Sequence, residues 1–367
     1  MYPYKPKILP LECIDWAVHV TLIGQANAAL ARYDGMLQSI VNPSVLLSPL
    51  TTREAVLSSK IEGTQANIEE VLRYEADSHE PLEAGRIADI MEIINYRTAM
   101  NHAVDFLKTR PCCLNLMKEL HFILLDSVRG RDKARGEFRR VQNFIGRPGD
   151  PIEKASFVPP VWNDVEPALD NWEKYLHIDE KDRLVQLAVS KAQFELIHPF
   201  LDGNGRLGRM LIPIFLYEKG MLSSPMFYMS EYLEKNRDVY YDRLKALSLN
   251  NDWNGWISFF LQGIRDQAAA NTIKTKNILD LYEKMKREIP DIVHSQYAIQ
   301  AIDALFNRPI FRSNDFVAHS KVPRDSALRI LKDLKKKEII RDIRPSRGRQ
   351  AALIIFPQLI NIVEETS

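Results

Sequence analysis

His198-Pro199-Phe200-Leu201-Asp202-Gly203-Asn204-Gly205-Arg206-Leu207-Gly208-Arg209 is the stretch on which the reading of this 367-residue chain turns. Pro199 disfavours helical backbone in the residue before it, so a preceding helix ends near Ile197. Gly203 and Gly205 tolerate positive φ, and successive N–H groups there can converge on one hollow. A new helix then begins near Asn204, with its first N–H groups unpaired and the positive end of its dipole at that hollow. Such a helix start is a ready anion site. Arg206 and Arg209 stand three apart, on one face, and their side chains lean back toward the helix start. Two planar cations beside a row of N–H donors suit a polyphosphate. Asp202 adds a carboxylate suited to Mg2+ (or Mn2+), which binds one or two carboxylates together with phosphate oxygens. His198, with an ordinary imidazole pKa near ~6.5, can take a proton from an incoming hydroxyl.

Two other phosphate-binding readings fall away. Gly203 to Gly208 matches the G-x-G-x-x-G string, but that fingerprint needs a strand before it, and residues 181–196 have helical spacing. No G-x-x-x-x-G-K-[ST] string occurs. Helical apolar spacing also predicts helices over residues 11–37, 81–107, 114–128, 161–177, 204–219, 237–249 and 253–288. Residues 137–160 break the pattern. Pro148-Gly149, Pro151 and Pro159-Pro160 separate an alternating segment through Phe144 and Ile145 from Phe157-Val158, which predicts a short hairpin.

The whole motif, with no departure, resembles the signature of the Fic family, HPFx[DE]GNGRxxR. Gly136 to Gly146 resembles that family's flap, a hairpin that docks a target segment by strand addition, with Phe144, Ile145 and Gly146 as its docking residues. The resemblance covers roughly residues 10–270. It implies a mainly α fold: a Fic-type helical bundle with a β-hairpin flap. It implies a protein adenylyltransferase that moves AMP from ATP to a Ser, Thr or Tyr hydroxyl of a protein. By the same resemblance His198 is the catalytic base and Asp202 holds the metal. Gly203, Asn204, Gly205, Arg206, Leu207, Gly208 and Arg209 bind ATP, with the two arginines on the β- and γ-phosphates. Asn236 or Tyr240, in the segment Ser230 to Tyr241, resembles the part that contacts adenine. Self-modification and a homodimer are left open, as are removal of AMP and transfer of another nucleotide or phosphate group.

Ser58-Ser59-Lys60-Ile61-Glu62-Gly63 is a second signal. Ser58 and Glu62 share one helix face, and Gly63 is placed to end that helix. Glu62 then sits in the last turn, where the dipole disfavours an anion. The string resembles the family's inhibitory motif, which implies that Ser58, Glu62 and Gly63 form a brake in which Glu62 pairs with Arg209.

At the other end, residues 297–306, 313–320 and 324–337 predict three helices, with Ser313 as an N-cap. Ala327, Ile330, Leu331 and Leu334 make one apolar face on the last of them. Residues 338–356 predict a two-stranded ribbon. Three helices and a ribbon resemble a winged helix-turn-helix domain. Arg329, Lys332 and Lys336 on the third helix and Arg347 in the wing are candidate DNA contacts. Residues 321–349 hold eleven Lys or Arg against four Asp or Glu, although the whole chain carries only +1. A second overall reading is therefore open: a DNA-binding regulator whose Fic core senses nucleotide.

Composition bounds the rest. A hydrophobic share of 46% and a charged share of 26% are those of an ordinary globular protein. Cys13, Cys112 and Cys113 form neither a disulfide framework nor a metal-ligand spacing. No apolar run is long enough to span a bilayer, and the expected location is the cytoplasm. The expected division is a helical amino-terminal region with the inhibitory motif (1–80), a catalytic core (81–270), a connecting helix (271–290) and a winged helix (291–367).

Overall fold

A computed structural model describes residues 2–78, 81–126, 133–146, 149, 151–347 and 350–365. The first helices are α1 (Trp16–Ser39), α2 (Pro43–Leu46), α3 (Ser48–Ile61), α4 (Ile68–Ala76), α5 (Ala84–Leu107) and α6 (Leu114–Leu124). Next come α7 (Val165–His177), α8 (Arg183–Ile197), α9 (Asn204–Glu218), α10 (Ser230–Lys235), α11 (Arg237–Asn250) and α12 (Trp253–Val293). The chain closes with α13 (Ala298–Asn307), β1 (Ile310–Arg312), α14 (Ser313–Ser320), α15 (Arg324–Lys336), β2 (Arg341–Arg344), β3 (Leu353–Ile355) and α16 (Pro357–Glu364).

Two compact units result, and they are not consecutive in sequence. One takes Met1–Asp34, Leu57–Gly63 and Asn95–Ala269; the other takes Gly35–Val56, Thr64–Ile94 and Ala270–Ser367. The serial division expected from the sequence differs from this. Residues 35–56 and 64–94 group with the carboxy-terminal residues, and 271–290 belong to the single long helix α12.

The first unit is built around α8 and α9. Every residue of α8 after Arg183 is buried, and so are Arg206 to Leu216 of α9. A helix buried on all sides lies inside its domain, and the polar residues of these two, Lys191 and Glu195 on α8 and Arg206 and Arg209 on α9 among them, are enclosed with it. Accordingly α7, α9 and α11 pack on α8, and α6 packs on α9. Asp182 caps α8, its Oδ1 accepting from the Leu184 and Val185 N–H groups at 3.0 Å each. At the far end His198 takes the left-handed conformation (φ 51°, ψ 59°) and Pro199 follows, so the helix stops. Gly203, at φ 77°, begins α9. Both boundaries agree with the motif's local chemistry.

Residues 137–160 depart from the expected hairpin. Among the described residues they contain one isolated bridge, Ile145 to Phe157, and a short 3-10 turn at Ile152–Lys154, with no strand. Pro151, Pro159 and Pro160 lack N–H donors, which leaves few groups for a ladder. Arg147, Pro148 and Asp150 lie outside the described residues.

In the second unit β3 lies between β1 and β2, all antiparallel, with Ile310 opposite Ile355 and Arg341 also opposite Ile355. The expected two-stranded ribbon is thus a three-stranded sheet: Ile310 and Phe311, too short a run to stand out in sequence, supply its third strand. Ala327, Ile330, Leu331 and Leu334 are the buried face of α15, as their spacing required. Ser313 is not a cap. It is the first residue of α14, and Arg312 occupies the cap position with no side-chain capping bond. The buried carboxylate of Asp77 accepts from Arg344 and also faces Arg312 at 3.9 Å.

Asp182→Ala removes the acceptor of two helix-start N–H groups and of Asn27 Nδ2. It should lower the unfolding free energy by about 1–2 kcal/mol, read as a lower urea midpoint with unchanged slope.

Candidate active site

Asn204 closes the loop between α8 and α9. Its Oδ1 accepts from the Phe200 N–H (2.9 Å) and its Nδ2 donates to the Phe200 carbonyl (2.9 Å). Asn143 Nδ2 donates to the same carbonyl at 3.1 Å. Phe200 is buried and stacks on His121, with ring centroids 3.9 Å apart. His121 Nε2–H donates to the Asp202 carbonyl (3.2 Å), and its Nδ1 accepts from the Gly136 N–H (2.8 Å). Those two partners set its tautomer. Burial lowers its pKa to about 4, so the ring is neutral.

His198 lies at the edge of a cavity of about 510 Å³. Its Nδ1–H donates to the Glu195 carbonyl at 3.3 Å, which leaves Nε2 as the basic nitrogen. Burial holds its pKa below the ordinary histidine value, aided by the Arg139 cation and opposed by Glu195 and Glu62. The imidazole is therefore unprotonated at neutral pH, as a general base must be.

Across the cavity stands Arg209, with 1% of its side chain exposed. Its Nη2 bonds Glu62 Oε1 at 2.6 Å and the Ser58 carbonyl at 2.9 Å, while Nε donates to Ser58 Oγ at 2.8 Å. Glu62 lies just past α3 rather than in its last helical turn. Its N–H bonds back to Ser59, and Gly63 follows at φ 103°. Its side chain is 35% exposed. Burial alone would raise this carboxyl's pKa; the Arg209 guanidinium, helped by Arg206 and His198, takes it below the usual range. Gly205 makes the approach feasible, because a Cβ there would fall on the Glu62 carboxylate.

The remaining motif residues separate. Arg206 is buried and faces Asp202, Nη2 to Oδ1 at 3.6 Å. Asp202 is 47% exposed, and its Oδ1 also accepts from the Gly203 N–H at 2.6 Å. Leu207 is core. Gly208 is needed where a Cβ would stand 2.7 Å from Glu195 Oε1. Tyr240 lines the cavity, but its hydroxyl is committed to Glu195 (2.7 Å) and accepts from Lys191 (3.0 Å), so it presents its ring. Asn236 is not among the cavity residues. It joins α10 to α11, its Nδ2 donating to the Tyr232 carbonyl. Phe144, Ile145 and Gly146 line the cavity opposite α11, with the first two exposed.

A single carboxylate beside a helix start fits Mg2+ or Mn2+ only if phosphate oxygens complete the shell. No group of three or more His, Cys, Asp or Glu able to hold a metal exists among the described residues.

Sequence reasoning missed His121, the Lys191–Glu195–Tyr240 cluster and Arg139. Long-range packing defines each of them; the only local signal was the i,i+4 spacing of Lys191 and Glu195, which does not tell a buried pair from an exposed one.

Residues 20–105 match the Fic/DOC family N-terminal domain, and residues 111–216 match the Fic/DOC family domain. The chain therefore carries the two domains of the Fic/DOC family. It is similar to the protein adenylyltransferase Fic of Drosophila grimshawi, at 26% identity over 76% of this chain and 50% of that protein. The chain spans about half the length of that relative. In fold it resembles a Fic family protein from Desulfovibrio desulfuricans, with a TM-score of 0.60 at 18% identity, covering 97% of this chain and 98% of the other. It also resembles a fragment of Fic-1 from C. elegans, with a TM-score of 0.50 at 18% identity over 72% and 74% of the two chains. No described helix is long and apolar enough to cross a membrane.

His121 and His198 both have depressed pKa values. Stability from such groups is complete above the unfolded histidine pKa near ~6.5 and is lost as pH falls toward the folded value. For His121 the loss approaches about 3 kcal/mol near pH 4. His121→Gln should therefore show a smaller fall in urea midpoint between about pH 7 and 4.5 than the parent. An equal fall would contradict the neutral, buried ring.

Proposed function

We propose that this chain is a protein adenylyltransferase that moves AMP from ATP to a Ser, Thr or Tyr hydroxyl of a protein and is restrained by Glu62. The observation that carries the reading is that His198, with Nδ1 engaged by the Glu195 carbonyl, lines one cavity with Gly205 and Arg209 of α9. The hydroxyl oxygen attacks the α-phosphorus, its proton goes to Nε2, and the bond to the β-phosphate oxygen breaks with release of pyrophosphate. First-turn N–H groups of α9 suit the α-phosphate, and Arg209 and Arg206 suit the two beyond it. Asp202 would hold a divalent cation, which when bound offsets phosphate charge. The adenylyltransferase name of the Drosophila relative supports the same reading.

The brake follows from competition. Arg209 cannot give the same N–H groups to Glu62 and to a phosphate, so the carboxylate displaces the nucleotide's terminal group from its productive position. With α-labelled ATP, Glu62→Gly should raise transfer by about tenfold or more, the scale expected when positioning in the transition state is restored. Adding His198→Ala should abolish it. Equal rates for the parent and Glu62→Gly would contradict the brake, and undiminished transfer with His198→Ala would contradict the base.

We further propose that the carboxy-terminal elements are a winged helix that binds duplex DNA. Arg329, Lys332, Lys336 and Arg347 are exposed, while Arg344 is engaged by Asp77. Gly348 and Arg349 lie outside the described residues. Binding should weaken steeply with salt, by about 0.9 in log affinity per log salt for each phosphate contacted. Lys332→Ala should lower that slope by about one contact; failure to bind at low salt would leave a protein-docking role.

A further inference from the structure

We infer that Arg139 is the positioning residue of the active loop, the group that holds His198 in its left-handed backbone conformation and joins it to both roots of the 137–160 segment. The inference rests on the reading of His198 as the base. Arg139 Nε donates to the His198 carbonyl at 2.9 Å, and Nη2 donates to the Ile197 carbonyl at 3.4 Å. The other bonds run to the segment's roots: Nη1 to the Val141 carbonyl (3.1 Å) and Nη2 to the Pro160 carbonyl (2.6 Å). Its own N–H donates to the Pro199 carbonyl at 2.8 Å. One guanidinium thus ties the end of α8, the entry to the loop and both roots.

Two features argue for more than packing. Arg139 is 2% exposed, and among the described residues no carboxylate pairs with it; burial lowers its pKa to about 10. A buried cation without a counter-charge is expensive. This one is offset only by carbonyls, two of them at the negative end of α8. Second, a non-glycine residue at φ 51° is strained and persists only where its surroundings over-determine it. The bonds to the His198 and Pro199 carbonyls supply that constraint. They fix the direction in which the imidazole leaves the backbone.

The fork also brings a positive charge near the imidazole. The other charged groups facing it are Glu195 on α8 and Glu62 past the end of α3. Arg209 on α9 and Asp242 and Lys245 on α11 line the same cavity. Removing the Arg139 cation therefore raises the pKa of His198 and reduces the basic fraction at neutral pH.

The test uses the full chain with Glu62→Gly as parent and compares Arg139→Gln with Arg139→Lys. Arg139→Gln should lower kcat at least about tenfold while KM for ATP stays within about threefold, because a displaced base costs chemistry rather than phosphate binding. The acid limb of its pH–rate profile should move to higher pH. Arg139→Lys keeps the charge and loses the fork, so kcat should fall with the limb unmoved. Unchanged kcat in Arg139→Gln overturns the inference, as does a loss with the limb in place. If Arg139→Gln does not fold, Arg139→Lys decides: lower kcat with unchanged KM supports the inference and parental kcat overturns it. A parent that transfers no AMP would sink the functional reading instead. The His198 ring resonance, titrated by NMR, would then still decide: an unchanged midpoint in Arg139→Gln overturns the positioning role.

Discussion

Asn204 folded back on Phe200 is the constraint from which the site follows. Two buried helices, α8 and α9, must be joined by a tight reversal inside the domain, and buried backbone groups there need partners. The amide of Asn204 satisfies both the N–H and the carbonyl of Phe200. Each such bond contributes about 1 kcal/mol net, but leaving either group unmade would cost more. Phe200 is held from the other side by His121, which also binds Asp202 and Gly136. With the reversal locked, the imidazole of His198 and the first turn of α9 face one cavity without further adjustment. Preorganisation of that kind is where binding and catalysis gain most.

Electrostatics adds a second layer. Arg209 is buried among carbonyl, hydroxyl and carboxylate acceptors; Glu62 is the charged one among these hydrogen-bond partners, and Glu195 adds a more distant negative charge. An anion offsets the cost of burying the Arg209 guanidinium, and a phosphate would serve as well as a carboxylate. In the proposed function, restraint and substrate binding are therefore two occupants of one site. Because Glu62 is partly exposed and sits in the turn between α3 and Gly63, its replacement costs less than breaking a fully enclosed pair would.

Much of this was legible in the sequence where chemistry is local. Pro199 stops α8, Gly203 starts α9, and Gly63 ends the turn that presents Glu62; each follows from a backbone rule applied to one residue. Apolar spacing likewise placed the buried face of α15. What failed to show was set by distant partners. Nothing in Gly136-Glu137-Phe138-Arg139 says that the arginine is buried among carbonyls. Nothing near Asn236 says that its side chain turns to Tyr232 rather than the cavity. The strands expected around Phe144 and Phe157 reduce to one bridge because prolines remove the donors. β1 was hidden because three residues are too few to carry a period, and the grouping of residues 35–56 and 64–94 with the carboxy-terminal residues depends on contacts within that unit between segments far apart in sequence.

The most direct measurement is a crystal structure of the Glu62→Gly protein with a non-hydrolysable ATP analogue and Mg2+. The account predicts the α-phosphate against the first N–H groups of α9, the terminal phosphate on Arg209, and His198 Nε2 open to the side where a target hydroxyl would enter. A nucleotide bound elsewhere, or a cavity that stays closed to it with Arg209 turned to protein groups, would contradict the account.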